Sequence, residues 1–468
     1  MGTVFSLSAT IFQQPIAEIS HVVGRKPAFL AVLAIFAIGS ITAAMAKDMT
    51  TLLVGRSMQG FASGGSVLAA IVLTDLVDLR DRATWLSVQN SRWLFWINLP
   101  AIAASAAGLG VLLGFDRPAE GIWVGLRKVD WVGILIFMPS AVALLVPFTM
   151  AGIFFAWKSW QAIMSLLLGV GGLAALAVHQ RYLAKNPMFR SSLFTKWTTV
   201  CSFFGQGVFG VCINMIFYYL VVFWSGVRGF DEILTGVALL PETLSIPVAA
   251  IVCGLTMRKT GRIRWAMLVG WPLTSLSIGL LWFLDTKTPL VALIVINTGV
   301  GLGAGIIASS LNVAILATTT REDNGHAMAM GWLFKSAGMC LGIAIGTALF
   351  SVQMESRLRQ MDEPEMTAES LLRVLKNVKN DRAGQEAIVR TLRILWTICC
   401  GLSGLAGLLC GSCKYPTLND RMQAQGDGAV KEDVESGRSS NCSSATQAKH
   451  PQHHVTVVDH GLPQTRLG

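Results

Sequence analysis

The sequence predicts an all-α polytopic membrane protein, and three observations indicate that fold class. Hydrophobic residues make up 53% of the chain, only 14% of residues are charged, and the mean hydropathy is +0.57. Soluble domains carry roughly 25% charged residues. Apolar blocks of about twenty residues, the length that crosses a bilayer as a helix, recur from end to end and are separated by short polar or basic segments.

About twelve apolar segments predict membrane spans. They cover residues 3–19, 28–46, 51–74, 93–115, 131–152, 160–178, 199–224, 233–257, 265–284, 289–316, 327–351 and 392–412. The first segment is thin for a span. The stretch 85–115 is interrupted at Asn90-Ser91-Arg92, so it is either two short crossings, a re-entrant hairpin, or a region that lacks part of a helix.

Four regions follow from this pattern. Residues 1–115 form an incomplete N-terminal bundle, 116–190 a central pair of extra spans, and 191–412 a C-terminal bundle. The charged, amphipathic stretch 352–391 within the last bundle predicts surface helices. Residues 413–468 are polar and without periodicity, which predicts a disordered cytoplasmic tail.

The net charge of +10 reflects topology rather than nucleic-acid binding. Basic residues cluster between spans on one side of the predicted membrane: Arg25/Lys26, Arg80/Arg82, Arg127/Lys128, Arg181–Lys196, Arg258–Arg264 and Arg321. The opposite loops offer only Lys47, Arg92, Lys158, Arg228 and Lys287. By the positive-inside rule the first set is cytoplasmic.

The segment 51–74 carries an unusual polar face. Arg56, Gln59, Gly60, Ser63 and Gly64 share one side of the predicted helix by their spacing. A charge inside lipid costs on the order of 2.5–3.5 kcal/mol, so this side should face another helix or a cavity. Alternatively, Arg56 lies near enough to the helix end to reach water along its stem.

No pattern in the sequence indicates an enzyme or a bound cofactor. A nucleophile–base pair, a metal-ligand spacing and a phosphate-binding loop are all missing from the sequence. Most of the nine cysteines lie in apolar runs and are expected to be small buried side chains. The glycines at 299–305 fall within a span, where they favour close helix packing over phosphate binding.

Several motifs resemble those of the major facilitator superfamily, and of its fourteen-span drug:proton antiporters in particular. Gly24-Arg25-Lys26 resembles the end of the superfamily's first cytoplasmic loop motif, and Arg56-Ser-Met-Gln59-Gly60 is similar to its Arg-x-x-Gln-Gly helix. Further matches lie along most of the chain. They are Arg92–Pro100, Asp130-Trp131-Val-Gly133, Leu239-Leu-Pro241, the basic turn Gly254–Gly261, and Gly325 with Lys335-Ser-Ala-Gly338, Gly342 and Gly346.

The resemblance implies a fungal-type multidrug or toxin efflux pump with two helical bundles, two extra central spans, a midplane cavity and alternating access. The chain also departs from that pattern. His21 replaces the loop aspartate and Ala17 the first glycine of the loop motif. The family's first helix and most of its fifth, with an antiporter motif, are not represented in the sequence.

Seven residues are candidates for proton coupling or gating. Arg56 and Gln59 match the superfamily motif, and Asp75 could pair with Arg25 or Arg82 or be a solvated loop acid. Glu242 is a carboxylate deep in an apolar run, where a buried acid can carry a proton or hydrogen-bond to the backbone freed by Pro241. Lys335 matches a basic position of the family's thirteenth helix, or it reaches the membrane surface.

Polar and aromatic residues within the later spans are candidates for the substrate cavity. They are Gln206, Asn214, Phe217, Tyr218, Asn297 and Asn312. Each amide could equally be a hydrogen bond between helices.

We therefore expect proton-coupled efflux of lipophilic or cationic small molecules such as drugs or fungal toxins. The alternative is a truncated, non-transporting remnant of such a pump. The expected partners are a small-molecule substrate, protons and the bilayer, without nucleic acid, and the chain is expected to be monomeric. The plasma membrane is the expected location, with the vacuolar membrane as the alternative.

Overall fold

A computed structural model describes residues 2–45, 48–65, 68, 129–150, 159–285, 288–320, 322–360 and 382–416. These residues contain eleven α-helices, numbered here in chain order. They are α1 (Gly2–Val23), α2 (Arg25–Ala44), α3 (Met49–Gly64), α4 (Trp131–Met150), α5 (Trp160–Val178), α6 (Trp197–Val222), α7 (Glu232–Thr260), α8 (Arg264–Leu281), α9 (Leu290–Thr318), α10 (Asn324–Gln360) and α11 (Arg382–Ser412).

Seven helices of the described part are long and apolar enough to cross a bilayer. They are α4 to α7 and α9 to α11, and a shorter apolar helix covers Pro27–Ala43. The prediction of an all-α polytopic membrane protein is therefore confirmed.

Two helices are longer than the sequence pattern predicted. α1 extends over 22 residues although only 3–19 were expected. α10 continues to Gln360, so residues 352–360 prolong a span and do not start a separate surface helix. The stretch 351–360 contains no glycine or proline, and the helix therefore continues without interruption. The interrupted stretch 85–115, Asp75, Arg82, the loop 361–381 and the predicted tail beyond residue 416 lie outside the described residues.

Small residues bring the first three helices close together. Gly60 of α3 lies against the carbonyl oxygen of Phe5 in α1, where a Cβ atom would come within 2.5 Å of that oxygen. On the other side of α3, a Cβ atom at Gly55 would come within 2.7 Å of the Ala43 nitrogen in α2. The two glycines thus allow α3 to pack closely against α1 on one side and α2 on the other, as small residues do in membrane helices.

The helices from α6 onward share one apolar core, which contains Trp224, Trp271 and Trp396. α9 packs between α7 and α8, and α10 packs along α6. The glycines of the sequence motif explain the second contact, because a Cβ atom at Gly338 would overlap the carbonyl oxygen of Gly207.

The central pair α4 and α5 is joined at its predicted cytoplasmic end by Asp130. One oxygen of its carboxylate accepts hydrogen bonds from the Gly133 amide at 2.8 Å and lies 3.0 Å from Nε2 of His179. The other accepts a hydrogen bond from Gln180 at 2.6 Å. A Cβ atom at residue 133 would overlap this carboxylate, which explains the glycine of the Asp130-Trp131-Val-Gly133 motif.

Candidate functional site

α1 and α10 meet through polar side chains in the middle of both helices. The Ser336 hydroxyl donates a hydrogen bond of 2.7 Å to the side-chain oxygen of Gln13. One turn away, the Thr10 hydroxyl lies 3.5 Å from the Cys340 sulfur. Such contacts can be exchanged for water at modest net cost, so this interface can open more readily than an apolar core.

Arg56 belongs to a polar network inside the N-terminal helices. Its guanidinium donates to the Gln59 oxygen at 3.3 Å, and the Gln59 amide donates to the Ser40 hydroxyl of α2 at 3.0 Å. Gln59 is 3% exposed. The polar face predicted for this helix thus points toward neighbouring helices, with Gly60 and Gly64 packed on α1 and Gln59 bonded to α2.

Lys335 lies between aromatic rings where α10 faces α6. Its ammonium nitrogen is 4.6 Å from the centroid of Trp332 and 5.3 Å from that of Phe209, within the range of cation–π attraction. A cavity of about 30 Å³ adjoins it between α1, α3 and α10. Its lining residues include Phe5, Ser63 and Lys335, so helices that are far apart in the sequence line it together.

A cavity of about 270 Å³ lies on another side of α10, against the central pair. Apolar side chains dominate its lining, among them Phe137, Leu176, Leu333 and Phe334, and Thr10 of α1 also borders it. The volume approaches the lower limit of pockets that bind small molecules.

The ends of α1 and α10 on the predicted cytoplasmic side form a second contact, called here the histidine junction and consisting of Glu18, Ser20, His21, Arg25 and His326. The rings of His21 and His326 stack with centroids 4.6 Å apart. Arg25 donates to Nδ1 of His21 at 2.8 Å and to the Ser20 hydroxyl at 2.6 Å. A Glu18 oxygen lies 3.1 Å from Nδ1 of His326, an ion-pair distance without hydrogen-bond geometry.

A charge pair and a hydrogen bond beside the histidine junction connect the segment before α6 to the residue that precedes α10. Arg190 donates to Asp323 at 2.6 Å, and the Ser192 hydroxyl donates to the other carboxylate oxygen at 2.9 Å. Burial raises the pKa of Asp323, but the hydrogen bonds from Arg190, Ser192 and Thr320 together with the charge of Arg190 outweigh it and hold the pKa below its usual value. This pair keeps the Asp323 carboxyl ionised.

The structure places the predicted cavity residues in different settings. Gln206 donates to Asn312 at 2.8 Å between α6 and α9, and Asn214 donates to the Met339 carbonyl at 2.8 Å. These three amides therefore link helices, the second of the two interpretations above. Phe217 packs against the core, whereas Tyr218 lies on an exposed side of α6.

Glu242 and Asn297 stand apart from these linked residues. Glu242 is 0% exposed and Asn297 is 1% exposed. Neither carboxylate oxygen of Glu242, and neither polar atom of the Asn297 side chain, has a hydrogen-bond partner within the described part of the chain. Buried polar groups are nearly always paired, so this site needs a functional explanation.

Sequence reasoning missed the groups that join the two parts of the molecule. Gln13, Ser336, Glu18 and His326 all lie at the α1–α10 interface, yet none was a candidate. The amide pair Gln13-Gln14 followed by Pro15 within an apolar segment was an available signal, because polar side chains in a span seldom face lipid.

Comparison with known proteins agrees with this architecture. The profile of the Major Facilitator Superfamily matches residues 1–343. The chain is 32% identical over 440 residues to "MFS transporter L2" of Phoma sp., which covers 86% of this chain and 73% of that protein. It is 27% identical to "MFS efflux transporter aclA" of Aspergillus oryzae, covering 75% and 68% of the two chains.

A third relative is the "Acurin A biosynthesis cluster MFS-type transporter" of Aspergillus aculeatus, 27% identical over 90% of this chain and 83% of that protein. Among solved structures, the human organic anion transporter MFSD10 (TETRAN) superposes with a TM-score of 0.50 at 15% identity, covering 86% of this chain and 82% of the other. That likeness concerns the fold alone. The chain belongs to the major facilitator superfamily and is a multi-pass membrane protein that transports small molecules.

Proposed function

We propose that this chain exports lipophilic or cationic small molecules in exchange for protons. The interface between α1 and α10 is the observation that carries the proposal. It joins an N-terminal helix to one from the later part of the chain through a few polar contacts, Gln13 to Ser336 in mid-helix and His21 to His326 at the helix ends. An interface of this kind can break and re-form as the transporter alternates between its two orientations.

The cavities beside this interface support lipophilic substrates. The cavity of about 270 Å³ is lined mainly by apolar side chains, and aromatic rings surround Lys335 next to the smaller one. Three of the related fungal proteins bear names that describe transport, one of them efflux and another a biosynthesis cluster. A lipophilic metabolite or drug is therefore the proposed cargo.

Arg56 and Gln59 are proposed to gate the movement of the first three helices. Arg56 holds the Gln59 oxygen while Gln59 holds Ser40 of α2, so a change at Arg56 is passed to α2. The roles predicted for Asp75 and Arg82, which lie outside the described residues, remain predictions, as do the plasma-membrane location and the monomeric state.

Transport of rhodamine 6G by the purified chain in proteoliposomes tests the proposal. With an imposed pH gradient we expect accumulation of the dye that a protonophore abolishes. The variant Arg56→Ala should lose this accumulation, whereas Arg262→Ala, which removes an exposed arginine, should retain it. Absence of gradient-driven transport and of dye exchange for every probe tried would favour the non-transporting alternative. Equal transport by both variants would refute the role of Arg56.

A further inference from the structure

Glu242 lies in the middle of a buried stripe on α7. Three buried polar residues lie on the same side of this helix, because their spacings of seven and three residues match the helix period. They are Thr235, Glu242 and Ser245. The stripe faces α9, with which α7 is in contact along its length. A carboxyl group thus sits inside the contact between two membrane helices.

Asn297 belongs to the same contact from the side of α9. Ser245 of α7 donates a hydrogen bond of 3.3 Å to the carbonyl of Thr298, which follows Asn297 on α9. Gly301, one turn beyond Asn297, lies so close to α7 that a Cβ atom would overlap the Ser245 hydroxyl and the Glu242 carbonyl. Residues four apart share a side of a helix, so Asn297 borders the space that holds the Glu242 side chain.

The tight packing at Gly301 restricts what can bind there. A metal cation needs several ligands and space for its ionic volume, whereas a proton needs neither. A carboxylate buried without a partner costs several kcal/mol. A protonated carboxyl group, which both donates and accepts hydrogen bonds, suits a site where the amide of Asn297 also has both functions unused.

Other charged groups are remote from this site in sequence. α9 carries no ionisable side chain from residue 290 to 318, and on α7 the charged residues are at its ends, Glu232 on one and Arg258 and Lys259 on the other. The other ionisable groups on α7 and α6 are Cys253 and the cysteines and tyrosines of α6. α8 and α10 also contact α9, and they bring Arg264 at the cytoplasmic start of α8, and His326 and Lys335 on α10. The Glu242 carboxyl is therefore the acid that can change charge at mid-helix.

The stripe carries a hydroxyl group on each side of Glu242, but only the one on the cytoplasmic side, that of Ser245, is held by backbone carbonyls, those of Glu242 and Thr298. Toward the start of α7, on the predicted external side, the Thr235 hydroxyl is buried without a hydrogen-bond partner in the described residues, about 10 Å along the axis. Toward the basic cytoplasmic end, beyond Ser245, the stripe continues with Ala249, Cys253 and Met257. Polar groups can pass a proton between them, and an apolar stripe cannot.

Two prolines flank the carboxyl group in sequence. Pro241 and Pro247 lie inside α7, and each removes one backbone hydrogen bond from the helix. Helices in membranes bend at such positions. A bend here would move Glu242 relative to Asn297 and could open the carboxyl group to the cytoplasmic side.

From this geometry we propose that Glu242, facing Asn297 between α7 and α9, is the coupling site of the transporter and takes up its proton from the external side. One carboxylate oxygen binds one proton there, and the same proton is released to water on the cytoplasmic side after the conformational change. The inference rests on the proposed proton-coupled efflux. It locates the coupling proton in the C-terminal helices, separate from Arg56.

Infrared spectroscopy of the full chain in nanodiscs tests proton binding without any substrate. We expect a stretching band of a protonated carboxyl group that weakens from acidic to alkaline buffer. Glu242→Gln should remove this band, and the matched variant Glu386→Gln, at an exposed glutamate, should keep it. Asn297→Ala should shift the band frequency because it removes the facing amide. A band unchanged in Glu242→Gln would overturn the proposal.

Rhodamine 6G transport in proteoliposomes separates this inference from the proposed function. Glu242→Gln should lose accumulation driven by the pH gradient but retain dye exchange at equal pH, since the neutral amide imitates the protonated acid. If the unaltered chain transports the dye and Glu242→Gln accumulates it equally, the site is wrong and the function stands. If the unaltered chain shows the band but no transport, the proton site stands and the proposed function is wrong.

Discussion

The imidazole ring of His21 stacks on that of His326, with 11° between the ring planes. The two residues lie on different helices, at the end of α1 and the start of α10, so this stack holds the predicted cytoplasmic ends of the two helices together. Arg25 donates to His21 at 2.8 Å from the side. Gly325 precedes His326 and lies against the stack. A Cβ atom at residue 325 would come within 2.8 Å of the His21 ring.

The histidine junction should loosen when the cytoplasmic side becomes acidic. Desolvation by the surrounding groups, then the charges of Arg25, His326 and Arg190, lower the pKa of His21, although its side chain keeps contact with solvent. An unburied histidine has a pKa of about 6.5, so the neutral ring stabilises the junction above that pH and the stabilisation is lost as pH falls below it. Glu18, whose carboxylate lies 3.1 Å from the His326 ring, opposes the effect in part.

Hydrogen–deuterium exchange of residues 18–28 and 322–330, corrected for the intrinsic pH dependence of amide exchange, measures this effect. We expect faster exchange in acidic buffer for the unaltered chain and a flat profile for His21→Asn. The same increase in His21→Asn would show that another group controls the junction.

Asp130 should contribute more to stability than an ordinary helix-capping acid. It accepts from Gly133 and Gln180 and contacts His179, whereas Asp231 caps α7 through one bond to Leu234 at 2.9 Å. Removing a buried acceptor leaves its donors unpaired at about 1–3 kcal/mol. Asp130→Ala should therefore lower the thermal unfolding midpoint in detergent more than Asp231→Ala. Equal midpoints would mean that water replaces the carboxylate.

Local signals in the sequence predicted the spans but not their partners. Each span carries its own apolar stretch, and Arg56 and Gln59 lie within one motif, so both could be found without a three-dimensional contact. His21 and His326 are separated by most of the chain, and only the packing of α1 on α10 reveals them as neighbours. Gln13 was missed for the same reason, since its partner Ser336 is equally remote.

Helix periodicity explains why neighbouring residues among the predicted cavity residues lie in different settings. Phe217 and Tyr218 are adjacent in sequence, so they point about 100° apart on α6, and Tyr218 is 48% exposed while Phe217 packs on the core. Glu242 was recognisable as a lone acid in an apolar run. Its relation to Asn297 required the contact between α7 and α9.

Glycines in contact and glycines in open space should respond oppositely to the same substitution. A Cβ atom at Gly338 would overlap the Gly207 carbonyl, whereas one at Gly171 on α5 would meet nothing within 4 Å. Overpacking costs about 1–3 kcal/mol, so Gly338→Ala should lower the thermal unfolding midpoint. Gly171→Ala should leave it unchanged or raise it, because alanine favours the helix. A midpoint unaffected by Gly338→Ala would contradict the close packing of α6 and α10.

The positive charge of Lys335 should be needed for transport, in addition to its packing between Trp332 and Phe209. Attraction between a cation and an aromatic ring is worth about 0.5–2 kcal/mol, and arginine preserves it while methionine preserves only the apolar stem. We therefore expect Lys335→Arg to retain rhodamine 6G transport and Lys335→Met to lose most of it. Lys259→Met, which removes an exposed lysine at the end of α7, is the matched control.

Tryptophan fluorescence distinguishes a lost charge from a misfolded variant in this comparison. The Lys335 ammonium is 4.6 Å from the Trp332 ring centroid, so its removal should change the emission of the folded chain while the unfolding midpoint stays within the range of the control. If Lys335→Met transports as well as Lys335→Arg does, the ammonium only fills space. The charge would then have no role in transport at the cavity between α1, α3 and α10.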